Sequence, residues 1–373
     1  MLEDLEISLI IPTLNEGPNL KPLVERIALA LQGRSYEILI VDDRSSDNTP
    51  QICLELGREY PVRLLVRDQP RDGLSGAVLY GMGQARGNIL VVMDADLQHP
   101  PEAIPRIVQP LLDDQADFVI GSRYIEGGTI EEGWSMFRAL NSRVATLLAR
   151  PFAGKVHDPM SGFLALRRSD YLSAKRLTPL GYKIGLELLC KTRSKRVREV
   201  PIHFGKRHAG ESKLSLKEQF RYLEHLSRLY DFSYPRLSPI LKFLIVTAIS
   251  WGVAGGYYVG LRAMEWGVLR SVIISYLLVI AVTAVFHARY VRTQREFLIR
   301  PRPWVDFLIA ALAEWMTCAL VASYLVNRAG ITHETDVVFI GFTAALFVRY
   351  VLRKELLLDV RGLRHELRKE EMQ

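Results

Sequence analysis

The sequence predicts two regions: an open, mostly parallel, doubly wound α/β domain over residues 1–214, and an α-helical membrane domain of two hairpins over residues 239–358. Two observations carry this. In the first region short apolar runs alternate with segments of helical periodicity, the rhythm of a sheet covered by helices on both faces. From about Ile240 four apolar stretches follow one another, each near the roughly 20 residues that cross hydrocarbon.

Strands are expected at 7–11, 37–41, 62–66, 89–93 and 118–120, because each run is almost wholly apolar and short. Helical segments, for example 19–31 and 50–59, separate them. Two further runs, 162–166 and 197–202, are expected as strands added at the sheet edge. In such a sheet ligands sit beyond the carboxyl ends of the strands. Chemistry is therefore sought in PTLNE, DDRSSDNT, DADLQHPP and GSRY, which follow the first, second, fourth and fifth strands.

Residues 216–230 form a helix with Leu216, Phe220, Leu223, Leu226 and Tyr230 on one face. That face either packs on the α/β domain or lies in a membrane interface. Its place directly before the apolar region favours the interface, so 215–238 is read as an interfacial region.

The apolar stretches run 240–261, 268–287, 305–326 and 337–352. The connection 288–304 carries Arg289, Arg292, Arg295, Arg300 and Arg302, and an excess of arginine marks a cytosolic loop. Four spans then place the α/β domain, both termini and the tail 359–373 in the cytosol, on a multi-pass protein of the cell membrane. The acidic start, MLEDLEISLI, has no basic leader-like segment and agrees with that side. Glu314 lies deep in the third stretch, where an ionisable group needs a partner, and Arg349 of the fourth is within reach. The alternative is a protonated Glu314 bonded to Tyr324 or Thr317.

The net charge is +7, but the basic residues flank the apolar stretches and form no block interleaved with aromatics. That distribution suits lipid headgroups and excludes nucleic acid as a partner. Cys53, Cys190 and Cys318 show neither CxxC spacing nor a disulfide framework.

Asp94 and Asp96 flank Ala95 at the end of an apolar run. Two crowded carboxylates repel unless a cation neutralises them, and hard divalent ions such as Mg²⁺ or Mn²⁺ take oxygen ligands shared with substrate phosphates. Gln98 offers another oxygen. After the second strand, Asp43 is placed to accept hydrogen bonds from a nucleotide base or ribose, with Pro12, Thr13, Asn15 and Glu16 as the neighbouring wall. Helix capping by Ser45, Ser46, Asp47 and Thr49 is the plain alternative. His99 adjoins the acidic pair, while His157, His203, His208 and His225 share no metal-ligand spacing and read as surface or supporting residues. Gly81, Gly83 and Gly87 precede a strand instead of following one, which rules out a dinucleotide fingerprint. No phosphate-binding GxxxxGK[ST] loop is present.

Taken in order, IIPTLNE, VDDRSSDNT, DGLSGA, VVMDADLQHPP, IGSRY, DPMSGFLALRR and GESKL resemble the family-2 glycosyltransferases of the GT-A fold. More closely they resemble the polyprenyl-phosphate glycosyltransferases of the dolichol-phosphate mannose synthase type, from Ile10 to about Leu229. The resemblance implies that Asp96 and Gln98 ligate the metal. It implies a nucleotide pocket of Pro12, Leu14, Glu16, Val41, Asp43, Asp94, Ala95 and Asp96, closed over the donor diphosphate by Arg207 and Lys213. Arg123, Arg138 and Ser142 would hold the acceptor phosphate, Asp96, Arg123 and Arg138 being the residues expected to carry catalysis. Two positions depart from the pattern: Leu14 stands where relatives often carry an aromatic, and Arg44 where a small or acidic residue is common.

The reaction so implied is inverting transfer of a hexose, mannose from GDP-mannose being favoured, to a polyprenyl phosphate. A lipid monophosphate already carries an anionic oxygen, its second pKa being about 6, so no general base is required. The same chemistry with UDP-glucose is the nearest alternative. A processive polysaccharide synthase is disfavoured because no Arg-Trp pair is present. A non-catalytic scaffold or flippase would have no need of the DADLQ cluster.

Overall fold

The computed structural model describes residues 5–131, 136–174, 177–178, 180, 183–192, 194–206, 216–286, 303–329, 331 and 333–358. It divides into two compact units, Met1–Leu229 and Tyr230–Gln373. The first begins β1 (Ile7–Thr13), α1 (Gly17–Ala30), β2 (Tyr36–Asp42), α2 (Thr49–Leu56), β3 (Val62–Val66), α3 (Gly73–Gln84) and β4 (Ile89–Val92). It continues through α4 (Ile104–Leu112), β5 (Phe118–Ser122), β6 (Thr129–Ile130), α5 (Met136–Ala153), β7 (Leu164–Arg167), α6 (Arg168–Ser173) and α7 (Ile184–Lys191). Then come β8 (Val197–Pro201), β9 (His203–Phe204) and α8 (Leu216–Ser233).

Among the described residues the main sheet has the order β3-β2-β1-β4-β7-β5-β8, and β6 pairs with β9 in a small second sheet. Alternate residues of each central strand enter opposite cores. Ile7, Leu9, Ile11, Ile38 and Ile40 pack with α1, α2 and α4 on one face. Ile10, Leu39 and Val41 pack with α3 on the other, in the core that α5, α7 and α8 also enter. Each fully buried aliphatic side chain contributes about 2 kcal/mol, which is why these strands read as unbroken apolar runs.

One strand differs from expectation. β7 is not at the edge: it lies between β4 and β5, antiparallel to both. Leu164, Ala165 and Leu166 are buried, as an interior strand requires. Its reversed direction brings the preceding residues, 158–162, to the carboxyl ends of the parallel strands. β8 does take the edge, beside β5.

The helix read as interfacial packs in part on the α/β domain. In α8, Tyr222, Leu226 and Leu229 are buried in the second core, and the Tyr222 hydroxyl donates to the Ala145 carbonyl at 2.7 Å. Phe220 and Leu223 point elsewhere and are exposed. Of the stripe, Leu226 thus packs on the α/β domain beside Tyr222 and Leu229, as the alternative reading had it, while Phe220 and Leu223 stay outside that core.

The second unit contains α9 (Ser238–Ala263), α10 (Val268–Phe286), α11 (Pro303–Asn327) and α12 (Glu334–Leu358). Four helices here, over Ser238–Ala263, Val268–Phe286, Phe307–Asn327 and Glu334–Leu352, are long and apolar enough to cross a membrane. α11 and α12 are antiparallel, since Gly341 meets Cys318 while Arg349 meets Glu314. Arg262, at the end of α9, donates to Glu334 at the start of α12, and the Tyr258 hydroxyl joins that carboxylate at 3.1 Å. The loop 288–302 and the tail 359–373 lie outside the described residues.

Candidate active site at the carboxyl ends of the strands

The loops after β1, β2, β3 and β4 each turn through a non-glycine residue in the left-handed region: Asn15, Arg44, Asp72 and Leu97, with φ between 59° and 64°. Such residues cost of order 1 kcal/mol or more each and persist only where the surroundings fix them. Here the first two loops brace each other. The Asn15 backbone N–H donates to Ser45 Oγ at 2.8 Å, and the Ser46 N–H to Asn15 Oδ1 at 2.8 Å. The Glu16 N–H donates to Thr49 Oγ1 and the Gly17 N–H to Asp47 Oδ2. Ser45, Ser46, Asp47 and Thr49 therefore tie the wall after β1 to that after β2, beyond capping a single helix. Asp42, fully buried, accepts from Ser45 and Thr13 and serves this brace.

The expected nucleotide wall gathers here. Pro12 and Val41 are paired neighbours in β1 and β2, and the Asp43 N–H donates to the Thr13 carbonyl at 3.0 Å. Glu16 accepts from the Asn19 side chain at 2.6 Å. Leu14 is 39% exposed and offers an apolar surface to this wall. Arg44 donates to the Asp68 carbonyl at 3.3 Å. Asp43 itself is held by Arg67, a residue the sequence reading passed over, through bonds of 2.5 and 2.8 Å.

After β4, Asp94 is about a third exposed, whereas Asp96 and Gln98 are buried at 5% and 6%. The Gln98 N–H donates to Asp96 Oδ1 at 3.2 Å, and its side-chain amide donates to the Gly205 carbonyl at 2.9 Å. The second bond engages an amide donor and leaves Oε1 as an acceptor. Two carboxylates and an amide oxygen make an all-oxygen donor set, which fits a hard divalent cation sharing ligands with substrate phosphates. Among the described residues no three His, Cys, Asp or Glu side chains gather as a self-sufficient metal site.

His99 supports this turn from behind. Its Nδ1 accepts the Asp94 backbone N–H at 3.1 Å, and its ring packs 5.2 Å from Phe163 and 5.4 Å from Phe204. Burial pushes its pKa down to about 4, against the pull of Asp96, so the ring is neutral near pH 7 and fit to accept. Gly162 faces the same carboxylate: a Cβ there would lie 3.3 Å from both Asp94 Oδ2 and His99 Cε1.

The antiparallel β7 delivers Asp158, which sequence reasoning quoted within DPMSG but gave no role. Asp158 is fully buried and takes Arg123 as a fork, Nε and Nη2 each at 2.7 Å, and the Arg123 backbone N–H at 3.1 Å. Glu199 of β8 holds the backbone N–H groups of His157 and Asp158, each at 2.9 Å. The Arg123 guanidinium also lies 5.0 Å from the Phe204 ring. Its fork is committed to Asp158, so the guanidinium is held in one position with its charge balanced by that carboxylate. Ser142 of α5 meets the Tyr124 hydroxyl at 2.8 Å, which brings α5 to the residue beside Arg123. Arg138 lies one turn earlier in α5. Its side chain, and Arg207 and Lys213 altogether, lie outside the described residues.

Comparisons with known proteins place the chain in a family. Residues 8–173 match the family described as Glycosyl transferase family 2. The chain is 44% identical over 245 residues to a dolichol-phosphate mannosyltransferase of Pyrococcus furiosus, covering 65% of this chain and 68% of that one. It is 41% identical to the dolichol-phosphate mannosyltransferases of Mycosarcoma maydis and Saccharomyces cerevisiae, spanning 84% and 89% of their lengths. By these matches the chain belongs to the family-2 glycosyltransferases, among the dolichol-phosphate mannosyltransferases.

Proposed function

We propose that the protein transfers mannose from GDP-mannose to the phosphate of a polyprenyl, dolichyl-type lipid, with inversion at the sugar. The observation that carries this reading is the turn after β4, where Asp94 lies against Gly162 and the Gln98 N–H donates to Asp96, together with Arg123 fixed by Asp158 at the end of β5. A phosphate oxygen of the lipid forms the new bond to the sugar carbon as the bond to GDP breaks. Asp96 and Gln98 would hold Mg²⁺ or Mn²⁺, which offsets the charge on the departing diphosphate. Pro12, Leu14, Glu16, Val41, Asp43, Asp94 and Ala95 would seat the nucleotide, and Arg207 and Lys213 would close on its diphosphate. Arg123, Arg138 and Ser142 would receive the acceptor phosphate, Arg123 as a guanidinium already positioned by Asp158. The membrane helices would present the lipid, with the α/β domain and both termini on the cytosolic side. Impermeant labelling from outside of a cysteine placed at Thr293 would contradict that orientation.

The deciding experiment uses purified protein with polyprenyl phosphate, GDP-mannose or UDP-glucose, and Mg²⁺ or Mn²⁺. Mannosyl lipid should form from GDP-mannose, cease in excess EDTA, and be abolished by Asp96→Ala in a folded protein. Product from UDP-glucose alone overturns the donor assignment. Undiminished turnover in EDTA overturns the metal.

A further inference from the structure

β9 is bonded on two sides. On one, it pairs with β6 in the parallel register Thr129 to His203 and Ile130 to Phe204, and the Glu131 N–H donates to the Phe204 carbonyl at 3.0 Å. On the other, Gly205 and Gln98 exchange two bonds: the Gly205 N–H donates to the Gln98 carbonyl at 3.0 Å, and the Gln98 side-chain amide to the Gly205 carbonyl at 2.9 Å. The backbone around Phe204 is therefore tied both to the chain that follows Arg123 and to the turn after β4. The Phe204 side chain is 5% exposed. Its ring centre lies 5.0 Å from the guanidinium carbon of Arg123 and 5.4 Å from the His99 ring, which it meets at 62°.

A cation within about 6 Å of an aromatic face is attracted by the ring quadrupole, and more strongly where water is excluded. Arg123 also lies 5.3 Å from the Tyr124 ring, but Tyr124 is 40% exposed. Buried and tied on both sides, Phe204 is the firmer restraint of the two. The Asp158 fork holds the guanidinium by its edge, and the ring contact limits the tilt of its plane. The same ring packs on His99, whose Nδ1 accepts the Asp94 backbone N–H. A shift of this one side chain is thus felt by the arginine and by the acidic turn together.

We propose that Phe204 is a positioning residue that couples the two halves of the site: its ring holds the Arg123 guanidinium in place for the acceptor phosphate and, through His99, steadies the turn that presents Asp96 and Gln98 to the cation. This rests on the reading given above of Arg123 as an acceptor residue and of Asp96 with Gln98 as the metal ligands.

Two titrations of the purified full-length protein test this without turnover, one with a polyprenyl phosphate and one with Mn²⁺ in the presence of GDP. Unaltered protein that fails to bind either ligand sinks the reading of that half of the site, and the proposal with it. So does unchanged acceptor affinity in Arg123→Gln, made together with Asp158→Asn so that no buried carboxylate is stranded. With those established, Phe204→Leu, which keeps apolar bulk and removes the ring, should weaken the acceptor about tenfold and Mn²⁺ about threefold. Phe204→Met replaces it if the leucine variant does not fold. Phe204→Tyr keeps the ring and should stay within about twofold of the unaltered protein for both ligands. Added to the Arg123→Gln, Asp158→Asn background, Phe204→Leu should cost the acceptor no more than about a further twofold, because both changes act through one cation. Acceptor affinity within twofold of the unaltered protein in Phe204→Leu overturns the proposal while leaving the acceptor reading intact. So do multiplicative losses in the combined variant, or a folded Phe204→Tyr that loses as much as Phe204→Leu. An unchanged Mn²⁺ affinity in Phe204→Leu overturns the coupling.

Discussion

Arg349 of α12 places both Nε and Nη2 on a single oxygen of Glu314 in α11, at 2.8 and 2.6 Å, with both side chains 4% exposed. The same oxygen accepts from Tyr276 at 3.4 Å, and Arg349 Nη1 reaches Thr283 Oγ1 at 3.3 Å. Tyr276 and Thr283 belong to α10, so the pair joins the two hairpins as well as closing the second. The alternative partners are committed elsewhere: Thr317 bonds back to the Ala313 carbonyl, and Tyr324 is 63% exposed.

Because an apolar interior leaves either charge without a substitute partner, Glu314→Gln and Arg349→Gln should each destabilise the membrane unit by roughly 2–4 kcal/mol. The double variant should lose clearly less than the sum, as read from thermal unfolding in detergent. Additive losses would show that the two side chains do not act as a pair.

Glu187 in α7 supplies a pH dependence for the α/β unit. It is fully buried, bonded to Lys191 Nζ and the Thr178 N–H, each at 2.6 Å, with His225 Nε2 of α8 3.4 Å away. Burial alone would raise its pKa. The His225 ring and the Lys191 charge outweigh that and hold it at about 2. A carboxylate depressed in the folded state contributes stability above its unfolded pKa of about 4.3, and that stability drains away as pH falls toward 2. Glu187→Gln should therefore flatten the fall in melting temperature between about pH 4.5 and 2, a limb worth roughly 3 kcal/mol. An unchanged acid limb would place the titrating group elsewhere.

Asp158→Asn leaves the buried Arg123 without its counter-charge and releases its fork. If Arg123 serves the acceptor, the acceptor KM should change at least tenfold while the donor KM stays within about twofold. Steady-state kinetics with both substrates varied decide it. A change confined to the donor would reassign Arg123 to the diphosphate.

Local chemistry made much of this protein legible in its sequence. Strands such as Ile7–Thr13 and Tyr36–Asp42 are apolar on both faces because helices cover both, and that pattern needs no knowledge of their neighbours. The span helices follow likewise from length and hydropathy. Even the Glu314–Arg349 pair could be read, since a lone ionisable group in an apolar helix has few partners within reach.

Tertiary structure decided what depended on direction and pairing. The run containing Leu164–Arg167 reads as a strand, but only assembly shows it antiparallel inside the sheet, and so only assembly carries Asp158 to Arg123. In α8 the sequence displays an apolar stripe that, among the described residues, shares only Leu226 with the face that is buried. The choice of Tyr222, Leu226 and Leu229 for the core, and the exposure of Phe220 and Leu223, rest on the surface the helix meets. Arg67 carries no motif of its own. It matters because β3 ends beside Asp43, 24 residues away in the chain, and a buried fork must take what the fold puts in front of it.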